Sequence, residues 1–371
     1  MQEIQTAREK PQKSKPVLTF LIGNGFDVGL GLHTRYSDFL PFYLKKASNS
    51  DVIARLKEAI RNNKTEFWSD AELAFGKLKF SRFGGDARAV LRECSRDFGN
   101  ALSEYLKTEV KRFAPPSKEL RKMFLAQLCS YYNALGEYPG KNELERLRKF
   151  RTLKINVIVF NYTETFDAML PQTSKLDLPG WGGGIQVQVD GICHVHGALS
   201  TEYTRLFGVN DRLQVHDDGL SDDLKDSLVK STIDRWAGCG LEPAARAMIG
   251  ESDTVIVFGM SMGETDKIWW KYLLDYLRNS SNRRICLAQH VKCQHGEMGI
   301  AEEAEWAQVE RKRFYEAGEV HPLYSSTDEL DRKIYVFRRG PYRDFEGNQL
   351  LCDPFLLAWF GKQLVSGAVG A

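Results

Sequence analysis

Four short segments of the chain place polar side chains directly after apolar runs, where a buried strand alone would not need them. They are Gly23-Asn24-Gly25-Phe26-Asp27, Phe160-Asn161-Tyr162-Thr163, His194-Val195-His196-Gly197 and Gly259-Met260-Ser261-Met262-Gly263-Glu264-Thr265-Asp266. In the first, Gly23 and Gly25 permit positive φ and let backbone N–H groups approach a phosphate, with the positive end of a following helix behind them. The plainer reading is an Asn-Gly turn that ends a strand. A dinucleotide fingerprint G-x-G-x-x-G is incomplete because position 28 is Val, and no GK[ST] follows to make a Walker loop. Asn161 offers an amide that can orient a ribose hydroxyl or a water, or can cap a helix that starts near Thr163, itself the other candidate cap.

His194 and His196 are two apart, so on a strand both face one way. As a metal pair they would need further ligands. Asp190, Asp211 and His216 are available, none at a diagnostic spacing. A histidine at a strand end also suits proton transfer near neutral pH, and the base reading is preferred for His196, with Gly197 leaving room for a substrate. In the fourth segment Ser261 or Thr265 could cap a helix with Asp266 in its first turn, or the loop could touch a second phosphate or a ribose. G-M-S-M-G also satisfies G-x-S-x-G, with His290, His295 or His321 as a later triad histidine, but Asp275 lies mid-helix where a triad acid would not normally be. That hydrolase is a minority reading. Cys286, His290, Cys293 and His295 fit a surface loop better than a zinc site, and Trp269-Trp270 reads as core. Glu66, Asp70 and Glu72 read as the acidic face of a solvated helix, although they could place a carboxylate near the site.

The elements that would position these residues follow from hydrophobic patterning. Short apolar runs at 17–22, 154–160, 192–197, 253–259 and 284–288 read as strands. Helical spacing occupies 51–63, 86–113, 117–132, 221–236, 264–279 and 301–317, with Pro115-Pro116 dividing two of these. Alternating strands and helices predict an α/β, Rossmann-like, mostly parallel sheet with a large helical insertion after the first strand. The expected division is a tail at 1–15, an α/β nucleotide-binding core at 16–35 and 151–345, a helical insertion or subdomain at 36–150, and a C-terminal segment at 346–371. In such a sheet, ligands sit beyond the carboxyl ends of the strands, which is where the four polar segments fall.

Bulk properties narrow the function. The net charge of +2, from 51 basic and 49 acidic residues, gives no field for nucleic acid or an anionic membrane, so a small ligand or a protein partner is expected. The start of the chain lacks a signal-peptide core and no long apolar run occurs, so a cytoplasmic location is expected. Seven cysteines, none in a CxxC pair, read as buried thiols of a reducing compartment.

The set IGNGFDVGLGLHTRYSDF, FWSDAE, VFNYTETFD, HVHG and FGMSMGETDK resembles the AbiH family of bacterial phage abortive-infection proteins, in the same order and across most of the chain. The strand ends also resemble a remote sirtuin-type NAD site, with a DHS-like fold. Gly23-Asn24-Gly25-Phe26-Asp27 stands for G-A-G-x-S, Phe160-Asn161-Tyr162-Thr163 for the Asn-bearing strand end, His196-Gly197 for the H-G pair and Gly259-Met260-Ser261 for the G-x-S loop. The pattern's serine is Asp27 here, its proline is His33, its aspartate is Thr163, and the CxxC zinc module is absent. The resemblance therefore implies an NAD-cleaving defence enzyme rather than a lysine deacylase, with NAD as substrate and no metal. It implies Asn161, His196 and Asp27 as catalytic residues, Asp27 towards a ribose hydroxyl or the oxocarbenium-like state. It implies Gly23, Asn24, Gly25, Phe26, Tyr162, Gly259, Ser261 and Asp266 as cofactor-binding residues. A homo-oligomer and a phage-derived trigger or second defence protein are the expected partners. The rival readings are a nucleotide-binding sensor or scaffold without turnover, and a metal-dependent hydrolase or nuclease using the HxH motif.

Overall fold

A computed structural model of the chain describes residues 15–62, 70–178, 180–201, 206–216, 219–290, 300–319, 327–339, 342–343, 349–350 and 363–365. A seven-stranded sheet runs through the molecule: β1 Val17–Ile22, β2 Thr152–Val159, β3 Thr173–Leu176, β4 Ile185–His194, β5 Thr254–Phe258, β6 Arg284–His290 and β7 Ile334–Arg339, in the order β3-β4-β2-β1-β5-β6-β7. Only the β3–β4 pairing is antiparallel. The parallel strands alone lie third, second, first, fourth, fifth, sixth in chain order, that of a doubly wound Rossmann sheet. The direction in which successive strands are added therefore reverses between the parallel neighbours β1 and β5, and the crevice beyond their carboxyl ends is the expected ligand position.

β1 is wholly buried, as a central parallel strand covered on both faces must be. β4 begins seven residues before the apolar run that suggested it, because 185–191 is polar on alternate positions and pairs at the sheet's weakly covered side. β3 is short and half-exposed, and its TSKL sequence carries almost no strand signal.

The helices between β1 and β2 divide between two cores. Phe39, Tyr43, Leu56, Phe75 and Phe98 pack with Leu199, Val209, Leu228 and Val229 into a helical core of their own. Phe124, Leu125, Leu128 and Leu147 instead pack with β1 and β2 residues against the sheet. The helix expected at 221–236 is two helices, Asp222–Asp226 and Lys230–Ala237. Its break is tertiary: Val229 bridges Val209, the Val209 N–H donates to the Leu228 carbonyl at 2.8 Å, and the Lys230 N–H donates to the Val209 carbonyl at 2.9 Å. Trp269 and Trp270 are buried in the core, and Cys286 is buried in β6 rather than in a surface loop. Residues 1–14, Glu66, Cys293, His295, His321 and most of 346–371 lie outside the described residues. Among the described residues, no helix is long and apolar enough to cross a membrane.

Candidate functional site

The loops after β1 and β5 close on one another. The Gly23 N–H donates to the Phe258 carbonyl at 2.9 Å and the Gly25 N–H to the Gly259 carbonyl at 2.8 Å. A Cβ on Gly25 would lie 2.6 Å from the Gly259 Cα, and Gly259 adopts φ +68, so both positions need glycine for backbone contact. These two N–H groups are spent inside the protein, which corrects the expectation that they cradle a diphosphate. Asn24 closes the loop further, accepting from the Thr34 hydroxyl at 2.6 Å and donating to the Thr34 carbonyl at 3.0 Å. Phe26 is core, packed edge-on against Phe166 and Phe258.

Asp27 is fully buried in the first turn of the short helix Gly25–Leu30. Its carboxylate accepts the hydroxyls of Thr163 and Thr165 and a further side-chain hydrogen bond from Asn161. Burial pushes its pKa up to about 6, against the pull of these three donors and of His194. It is therefore beneath the strand-end crevice, not on its surface where it would meet a sugar. Thr163 caps no helix. That helix starts at Thr165, and the Thr163 hydroxyl is committed to Asp27.

Asp27 also decides what Asn161 presents. The carboxylate takes hydrogen bonds from the threonines and from Asn161, so the Asn161 NH₂ faces it and Oδ1 points elsewhere. Asn161 is 6% exposed and its Oδ1 has no hydrogen-bond partner among the described residues. A buried acceptor left open in this way calls for a donor from a ligand or water.

The two histidines of HVHG are used differently. His194 Nδ1 donates to the Asn161 carbonyl at 3.1 Å and Nε2 to Asp167 at 3.1 Å. Burial opposes its charge, but Asp167 and the carbonyl outweigh it and the pKa is raised. His196 is buried, with Nδ1 donating to the Phe160 carbonyl at 3.2 Å. Burial holds its pKa well below the ordinary value, and the nearby Lys230 charge adds to this. His196 is thus a neutral imidazole with its Nε2 lone pair available. Two of the three further ligands considered are engaged elsewhere: Asp190 binds Lys154 at 2.8 Å, and Asp211 caps the turn Arg212–Gln214. Among the described residues, no group of three His, Cys, Asp or Glu side chains is arranged to hold a metal ion.

An acidic cluster that the sequence assigned to solvent surrounds Lys230. Glu72, on the helix Ala71–Gly76, is buried and binds Lys230 Nζ at 2.8 Å. It also accepts the Tyr162 hydroxyl at 3.3 Å. Burial pushes the Glu72 pKa up to about 7 against the attraction of Lys230, with Asp70 and Asp266 adding to the rise. Asp266 stands 4.0 Å from Lys230, and its Oδ1 is shut off from solvent without a hydrogen-bond partner among the described residues. Asp70 caps its own helix at the Leu73 N–H and accepts the Thr265 hydroxyl at 2.8 Å. Thr265 is therefore not a helix cap, and the Tyr36 phenol faces the same acids. Ser261 is exposed on the loop. The helix expected from 264 opens as a turn of tighter helix, Glu264–Asp266, before Lys267–Arg278.

The structure thus sets Tyr162, His196 and Asp266 of the expected set with Glu72, Lys230 and Tyr36, while Asn161 meets Asp27 and His194, the latter paired with Asp167. Glu72 was signalled by the FWSDAE motif. Lys230 carried no signal, since only the Val209–Val229 bridge turns it inward.

A family model described as bacteriophage abortive infection AbiH matches residues 19–287 of the chain. No curated protein matches it.

Proposed function

The chain belongs to the AbiH family of bacteriophage abortive-infection proteins, and within that role we propose that it cleaves the nicotinamide–ribose bond of NAD. The observation that carries this reading is the buried, unpartnered Asn161 Oδ1 one strand end away from a neutral His196. An acceptor fixed in that orientation holds a ribose hydroxyl or the attacking water, and a neutral imidazole takes a proton. In the proposed step the C1′–N bond breaks and its electron pair goes to nicotinamide, which leaves uncharged. Water adds to C1′ and its proton passes to His196 Nε2, giving ADP-ribose and one proton in all.

Asp266, whose Oδ1 has no hydrogen-bond partner among the described residues, suits this charge development, because positive charge grows on the ribose as the bond breaks. Asp27 acts through Asn161 by fixing its amide, and is a positioning residue in this scheme. The diphosphate has to meet groups other than the Gly23 and Gly25 N–H groups.

The test is nicotinamide release from NAD by purified protein, and NAD loss in cells after phage infection. Release is expected from the wild type and not from Asn161→Ala or His196→Ala. Release that persists in both variants rejects the site. Tight NAD binding without release in vitro and without NAD loss in infected cells replaces it with a nucleotide sensor.

A further inference from the structure

The buried pair Glu72 and Lys230 has no part in the reaction as written. Lys230 is placed by backbone: the Val209–Val229 bridge ends one helix and starts the next at Lys230, turning its side chain inward. There it meets Glu72 from the helical block, at 2.8 Å, and Asp266 from the loop after β5, at 4.0 Å. Tyr162, whose hydroxyl donates to the Leu206 carbonyl at 2.9 Å with Glu72 Oε1 at 3.3 Å, has its ring centre 6.3 Å from that of His196. A buried ion pair roughly repays its own desolvation, so stability alone gives little reason to keep one. Ionisable groups gathered in a strand-end cleft are candidates for function.

We propose that Lys230 is a positioning residue for His196: anchored by Glu72, it fixes a positive charge beside the imidazole, so that the helical block completes a site otherwise built from strand ends. The groups around His196 are few. The Phe160 carbonyl takes Nδ1, the Phe160 and Tyr162 rings flank it, and after burial the Lys230 charge disfavours its protonation. Glu72, Asp70 and Asp266 stand behind Lys230. His194, two residues back, faces Asn161 and Asp167 instead. Burial and Lys230 both disfavour the imidazolium, and only the Phe160 carbonyl opposes them. The result is an imidazole that keeps the Nε2 lone pair free. Use of that lone pair rests on the reading of His196 as the base, whereas the electrostatic consequence does not.

The experiment is an NMR titration of the histidine ring signals in the full chain, with His196 assigned by its disappearance in His196→Gln. Lys230→Met is expected to raise the proton affinity of His196 about tenfold, one pH unit. Should that variant strand Glu72 and fail to fold, Glu72→Gln/Lys230→Met removes both charges together and is expected to show the same rise. Lys230→Arg keeps the charge and is expected to titrate like the wild type. A His196 titration unchanged in the doubly neutral chain overturns the proposal, and so does a Lys230→Arg shift as large as that of Lys230→Met. Nicotinamide release measured in parallel separates the two ideas. A histidine shift in a chain that never releases nicotinamide rejects NAD cleavage and keeps the role of Lys230; release without a histidine shift does the reverse.

Discussion

Replacing Asp27 by asparagine tests the electrostatics beneath the site. The wild-type carboxyl is wholly buried and its pKa is raised from 3.8 to about 6. An acid whose folded pKa lies above its unfolded value binds protons more tightly when folded, so its contribution to stability is present at low pH and is lost as pH rises through that window. The gap of about two pH units, at about 1.4 kcal/mol each, makes that loss about 3 kcal/mol. An asparagine side chain does not titrate, so the stability difference between wild type and Asp27→Asn cancels every other group. It is expected to fall by about 2 kcal/mol between about pH 4.5 and 7, the accessible part of the window. Urea unfolding of both chains at several pH values, followed by circular dichroism, measures it. A difference that stays level, or that grows with pH, would show that Thr163, Thr165 and Asn161 stabilise the carboxylate beyond its burial cost, and would refute the reasoning.

Other perturbations give equally definite outcomes. Gly25→Ala forces a Cβ to 2.6 Å from the Gly259 backbone and is expected to lower stability by about 2 kcal/mol, read as a lower urea midpoint. Gly99→Ala, inside the helix Ala87–Val110 with nothing within 4 Å of the new atom, is expected to gain about 0.8 kcal/mol; a loss there refutes the contrast. Glu72→Ala leaves Lys230 buried without its nearest anion and is expected to cost about 3 kcal/mol, with a cost below about 1 kcal/mol contradicting the burial of the pair. Asn161→Ala removes one hydrogen bond to Asp27, so a loss near 1 kcal/mol should accompany complete loss of nicotinamide release; unfolding of the variant would mean that Asn161 serves the fold.

The central strands and their polar ends were legible in the sequence because burial on both faces demands an uninterrupted apolar run. Val17–Ile22 and Thr254–Phe258 fall within a residue of where patterning put them. The edge strand Thr173–Leu176 was not, since a half-exposed edge needs little hydrophobicity. Of the site, the residues that stand at the strand ends, including Asn161 and His196, were legible because strand ends are local features. Two things were not: that the Gly23 and Gly25 N–H groups are consumed by the loop after β5, and that Asp27 points down into threonines. Both depend on partners more than a hundred residues away. Lys230 is the clearest case: in its own segment it reads as one charge on a solvated helix, and only the pairing of Val229 with Val209 brings it against Glu72. Local pattern determined what the chain carries to the crevice, and tertiary contact decided which of those groups keep a free hydrogen-bonding atom there.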